Sequence, residues 1–139
     1  MQGNGILESY HKVNPTLYHA AIRNANAPLY LTLNEGFSKN WHAYIMGDKP
    51  VNCTGFFCGF KTAIKLLRAG EKLPDTRHVQ SYGFSNAWFV DKNTEKDTLH
   101  VAFFYFPQVF AYAGFAITFI GLIGVSTLLV FLRVRRFGK

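Results

Sequence analysis

The stretch that decides the architecture is residues 98–132, TLHVAFFYFPQVFAYAGFAITFIGLIGVSTLLVFL. From Val101 onward it holds no charged residue, and Pro107 divides it in two. Before the proline, apolar, aromatic and β-branched residues follow one another as in a strand. After it, residues 109–132 are continuously apolar over 24 positions, and the polar side chains among them, apart from Tyr112, are Thr118, Ser126 and Thr127. Those hydroxyls can bond back to the preceding helical turn. A helix of that length reaches about 36 Å, enough to cross a hydrocarbon core of about 30 Å with some tilt. A buried core helix would need protein on every side, which the preceding residues could hardly supply. The pattern predicts one C-terminal transmembrane helix at 107–132, a domain at 1–106 and a short basic tail at 133–139.

The tail sets the expected orientation. Arg133, Arg135, Arg136 and Lys139 crowd behind the apolar run, whereas the other side offers Lys92 and Lys96 mixed with Asp91, Glu95 and Asp97. Positive-inside then places the tail in the cytoplasm and the domain outside, in a single-pass cell-membrane protein. Residues 1–14 lack the basic-then-apolar pattern of a signal peptide. Either the chain is tail-anchored with a cytosolic domain, or it is the end of a longer polytopic protein whose earlier helices handled translocation; the second is favoured. The formal charge of +7 owes much to that tail, so nucleic acid is not an expected partner. With 49% hydrophobic and 17% aromatic residues, disorder is excluded.

The domain reads as short strands. Residues 17–24 (LYHAAIRN) and 29–34 (LYLTLN) flank a turn-like spacer, Ala25-Asn26-Ala27-Pro28, and suggest a hairpin. Residues 41–45, 78–82, 87–91 and 98–106 are further strand candidates. Residues 62–69 (TAIKLLRA) carry helical spacing and end at Gly70, which suggests one short helix. Six or more strands with many aromatics point to a mainly β fold, a jelly-roll-like β-sandwich, because a single sheet would leave one aromatic face in water.

Cys53 and Cys58 are the two cysteines of the chain. In an oxidising compartment a C-x4-C pair can close a disulfide; free thiols are the alternative, and a metal site lacks further ligands at suitable spacing. Asn52-Cys53-Thr54 matches the N-glycosylation acceptor pattern, whereas Asn14-Pro15-Thr16 is blocked by its proline. The separated histidines argue against a redox or copper-binding domain, so neither metal nor cofactor is expected.

Three segments carry a resemblance: Asn14-Pro15-Thr16-x-Tyr18, then residues 27–35 (APLYLTLNE), then Trp41-His42-Ala43-Tyr44-Ile45. They are followed by residues 82–91 (YGFSNAWFVD) and by Phe104-Tyr105-Phe106-Pro107-Gln108. In order and spacing these resemble the carboxyl end of large polytopic C-type glycosyltransferase-like membrane proteins of bacteria and archaea, which draw sugars from lipid carriers. Lys39-Asn40 stands where that family has proline-glycine, and residues 51–77 match nothing in it. The resemblance implies an extracytoplasmic module beside a multi-helix membrane partner, without the early exterior loop that carries the family's catalytic acid. The eight acids show no paired carboxylates, and no nucleophile elbow, P-loop or dinucleotide fingerprint is present. By itself the chain is expected to catalyse nothing.

Candidate binding residues follow. Trp41 and Trp88, with Tyr44 or Tyr82 nearby and Asn86 beside the second, would stack on a pyranose if exposed; if not, the tryptophans would fill the sandwich core and Asn86 would turn the chain. Glu35 would contact an acceptor sugar or partner, or end a strand as a turn residue. In the helix, Gly114, Thr118 and Gly121 form a small-residue stripe suited to packing against partner helices, although small residues also enter membrane helices by composition alone. The expected role is a non-catalytic accessory module that binds or positions a glycan or lipid-linked sugar. The alternative is an assembly subunit of an unrelated membrane complex with protein contacts alone. An exposed aromatic cleft beside acids would favour the first, a broad apolar flank the second.

Overall fold

A computed structural model of the chain describes residues 5–25, 28–47, 51, 53–91 and 98–137. Asn52, and with it the glycosylation pattern, lies outside the described residues, as do Lys92, Glu95, Lys96, Asp97 and Lys139. The chain divides into two units, residues 1–106 and 107–139.

The first unit runs β1 (Ile6–Asn14), β2 (Leu17–Arg23), β3 (Leu29–Leu33), β4 (Trp41–Met46), α1 (Phe56–Ala69), β5 (Glu71–Lys72), a 3-10 turn (Asp75–Arg77), β6 (His78–Ser81), β7 (Ser85–Val90) and β8 (Thr98–Tyr105). All pairings are antiparallel, in a five-stranded sheet β1-β2-β8-β4-β5 and a three-stranded sheet β3-β7-β6. Tyr18 and Ile22 of β2, Trp41 of β4, and Val101 and Phe103 of β8 meet Leu31, Leu33, Trp88 and Val90 of the smaller sheet in one core. Two packed sheets make this a β-sandwich.

The outer face of the larger sheet is buried as well. Leu17, His19, Ala102, Phe104 and Tyr44 project there and are almost fully covered. The buried side of α1, Cys58, Thr62, Ala63 and Leu66, supplies a third layer. Gly70 shows how closely that layer approaches: a Cβ there would sit 2.6 Å from the carbonyl oxygen of Leu66 and 3.0 Å from the Tyr44 ring. Its N–H closes the last turn of α1 on Leu66.

Two expectations require correction. The hairpin expected from residues 17–24 and 29–34 does not form: β2 pairs with β1 and β8, while β3 pairs with β7 in the other sheet. Both faces of β2 are buried, which demands a central place, and the chain crosses between the sheets at buried Ala25. The true hairpin is β1–β2, turned by Pro15-Thr16, with the Asn14 side chain accepting from the Thr16 N–H and hydroxyl, both at 2.9 Å. The helix expected from Thr62 instead begins at Phe56, six residues earlier.

The second unit is one 30-residue helix, α2 (Gln108–Phe137), and it contains the one helix among the described residues long and apolar enough to cross a membrane. Thr118 and Thr127 donate to the carbonyls of Gly114 and Ile123, four residues back, so neither hydroxyl is left bare in lipid. Helical structure continues past Leu132, so Arg133, Arg135 and Arg136 belong to its final turns.

Candidate functional site

β1 and β3 are edge strands of different sheets, and the sandwich stays open between them as a cleft of about 520 Å³. A register irregularity between Leu7 and Ser9 places Leu7 and Tyr10, three apart in sequence, on the same inward face of β1. Leu31 and Leu33 of β3 and Phe103 of β8 form the apolar floor. Tyr10 and Tyr30 line the cleft and keep more than half of their surface in water, at 54% and 66%. Tyr30 leans on Phe89, its partner across the β3–β7 ladder, with ring centres 5.1 Å apart.

A polar cluster stands behind Tyr10. Tyr10 stacks on Tyr18 at 5.7 Å, and Lys12 Nζ stands 5.1 Å above the Tyr18 ring. The Tyr18 hydroxyl donates to the Glu35 carboxylate. Burial, reinforced by that hydrogen bond and the carboxylate's charge, pushes the phenol up to about 12, so it remains a donor across the physiological range. Tyr10 is raised too, first by burial and then by Tyr18 and Glu35.

Asn86 fixes this cluster from below. It is fully buried, and its Nδ2 donates to the carbonyls of Glu35 at 2.9 Å and Gly36 at 3.2 Å. Its Oδ1 accepts from the Ser38 N–H at 3.1 Å and from His78 Nε2 at 3.0 Å. The loop that carries Glu35 is therefore held by one amide side chain. The His78 ring lies flat on Trp88, 4.4 Å away and 7° from parallel.

The sequence candidates divide accordingly. Glu35 does not line the cleft; it accepts from the Tyr18 hydroxyl, whose ring stacks behind the cleft-lining Tyr10. Trp41 packs between Tyr18 and Tyr105, and Trp88 beside Phe103; both are core residues, 6% and 1% exposed, and present no ring face for a sugar. Tyr44 is buried on the outer face of the larger sheet, against the end of α1. Asn86 holds the Glu35 loop and does not itself line the cleft. Cys53 and Cys58 are joined in a disulfide. Tyr10, Lys12 and Tyr30 were not singled out from sequence; the alternation of Tyr30 with Leu29 and Leu31 was an available signal, whereas Tyr10 stands between Ser9 and His11 and offered none. Gly114, Thr118 and Gly121 are exposed along α2.

A second cluster lies on the other face of the larger sheet. His11 is directly opposite His19, whose ring stacks on His100 at 5.4 Å. His11 Nε2 donates to the Cys53 carbonyl at 3.2 Å, while His19 Nε2 and His100 Nδ1 are buried without a hydrogen-bond partner among the described residues. No three His, Cys, Asp or Glu side chains among the described residues are placed to hold a metal ion.

No protein-family model, curated protein or solved structure matches the chain.

Proposed function

We propose that the β unit is a non-catalytic accessory module of a membrane glycosyltransferase-like system, holding a glycan or the sugar of a lipid-linked carrier in the β1–β3 cleft. The observation that carries this reading is the pair of exposed tyrosines, Tyr10 and Tyr30, lining an open cleft. The C–H face of a pyranose packs on a phenol ring, and its hydroxyls find partners in the Tyr10, Tyr30 and Thr32 hydroxyls that line the cleft. Among the described residues, Glu8, Asp75 and Asp91 are each paired with a basic side chain.

Saturation-transfer NMR on the full chain in nanodiscs, against a panel of neutral and acidic oligosaccharides, tests this. Tyr10→Ala and Tyr30→Ala should each weaken binding about tenfold, a loss typical of one stacked ring. Tyr82→Asn, at an exposed turn outside the cleft, should leave binding unchanged. Saccharide signals that survive both alanine substitutions would sink the reading.

The rival reading, an assembly subunit with protein contacts alone, draws on the exposed Gly114, Thr118 and Gly121 stripe, which would let a partner helix approach. Capture of the full chain from its native membrane in mild detergent separates the two. Recovery with a polytopic protein bearing an acidic exterior loop supports the first, and recovery among subunits of another complex supports the second.

A further inference from the structure

Around α1 the side chains fall into three arcs. Cys58, Thr62, Ala63 and Leu66 are buried against the sheet. Next around the axis comes an apolar arc roughly 100° wide, by the helical repeat of about 100° per residue, that holds Phe57, Ile64 and Leu67 together with Phe56 and Phe60. Phe57 is 78% exposed, Leu67 47% and Ile64 40%. Beyond it lies a basic arc, Lys61, Lys65 and Arg68, all exposed, and the helix contains no acid. The fold accounts for the first arc, whereas Phe57, Ile64 and Leu67 of the second and all three residues of the third remain exposed.

We propose that α1 is an interfacial helix that docks on an anionic lipid bilayer, its Phe57–Leu67 arc immersed at the headgroup boundary and its basic arc on lipid phosphates. Three observations select a bilayer as the occupant. The apolar and basic arcs are adjacent and unmixed, the arrangement that lets lysine and arginine stems lie along an apolar surface while their charges reach phosphate. The charge is wholly positive along the helix, complementary to anionic headgroups. The same chain enters its membrane-spanning helix at Gln108, three residues after β8 ends at Tyr105, so a bilayer is always within reach of this unit. The disulfide to Cys53 and the hydrogen bond from the Gly55 N–H to the Val13 carbonyl hold the start of α1 to the sheet, so docking requires no ordering of the helix. This inference does not depend on what the cleft binds.

The test uses the full chain reconstituted with a photoreactive phospholipid, in phosphatidylcholine alone and in phosphatidylcholine with phosphatidylglycerol, with adducts mapped by mass spectrometry. Adducts are expected on residues 57–67 as well as on α2, and several times more of them in the anionic bilayer. Replacing Lys61, Lys65 and Arg68 with glutamine should lower the α1 yield in the anionic bilayer by at least about fivefold while leaving α2 adducts unchanged. Phe57→Ser with Leu67→Ser should abolish α1 adducts in both bilayers. All five positions are exposed, and near-ultraviolet circular dichroism with an intact disulfide checks that the fold survives. Adducts confined to α2, equal α1 yields in the two bilayers, or cross-links from α1 to a second copy or another protein in place of lipid would each overturn the proposal.

Discussion

At the scale of single residues, the unusual chemistry is buried histidine. His19 is nearly inaccessible, and burial first, then the neighbouring charges of His100 and His11, lower it to about 4. A folded-state value below the unfolded one, about 6.5, means that the unfolded chain binds protons first as pH falls. The stability contribution is therefore complete above about pH 7 and is lost between about 6.5 and about 4, at a cost on the order of 2–3 kcal/mol. His42 and His78, also lowered chiefly by burial, act with the same sign. Thermal unfolding in nanodiscs should show that slope, and His19→Phe, which keeps a flat ring beside His100, should flatten it. Asn86 offers a second check: Asn86→Leu leaves two carbonyls and the Ser38 N–H without their partner and should destabilise the unit by about 2–4 kcal/mol, read as a lower Tm. In the sequence, Asn86 stands beside Ser85 ahead of an apolar run and reads as a candidate near Trp88; that it serves a loop fifty positions away is a tertiary fact that spacing does not encode.

At the scale of elements, the disulfide is the clearest test. Closing so short a loop is worth about 2 kcal/mol on the chain-entropy argument, and Cys53→Ser with Cys58→Ser should lower stability by about that amount. Hydrogen exchange should rise first in the opening turn of α1, where Gly55 provides no side-chain cap. Most strands were legible because central and half-buried strands carry dense apolar or alternating patterns, as in β3, where Leu29, Leu31 and Leu33 alternate with Tyr30 and Thr32. β1 was not legible: Glu8, Ser9, His11 and Lys12 break the pattern, as suits an edge strand that is mostly exposed. The first turns of α1 were missed because Gly59 and two adjacent phenylalanines are poor helix formers, and the turns are held by tertiary contacts. The tryptophans illustrate the same limit at the site, since an aromatic in a strand reads alike whether it faces a sugar or the opposite sheet.

For the whole molecule, the order of parts along the chain settles one question and poses another. The boundary between the two compact units falls at Pro107, where the charge-free run changes character. Which side of the membrane each unit occupies depends on the basic residues at the end of α2. If the positive-inside rule governs, Arg133→Glu, Arg135→Glu and Arg136→Glu together should give a mixed or inverted orientation, detected by protease protection of the β unit in sealed vesicles; an unchanged orientation would mean that other determinants dominate.

The attachment point of the tether carries a mechanical consequence. β8 is bonded along both edges, to β2 and to β4, and its last residue, Tyr105, leads almost directly into α2. Force transmitted along the chain from α2 therefore arrives at an inner strand of the larger sheet and is shared by two ladders, where a tether on β1 would load one. The module is strung from a strand that is paired along both edges.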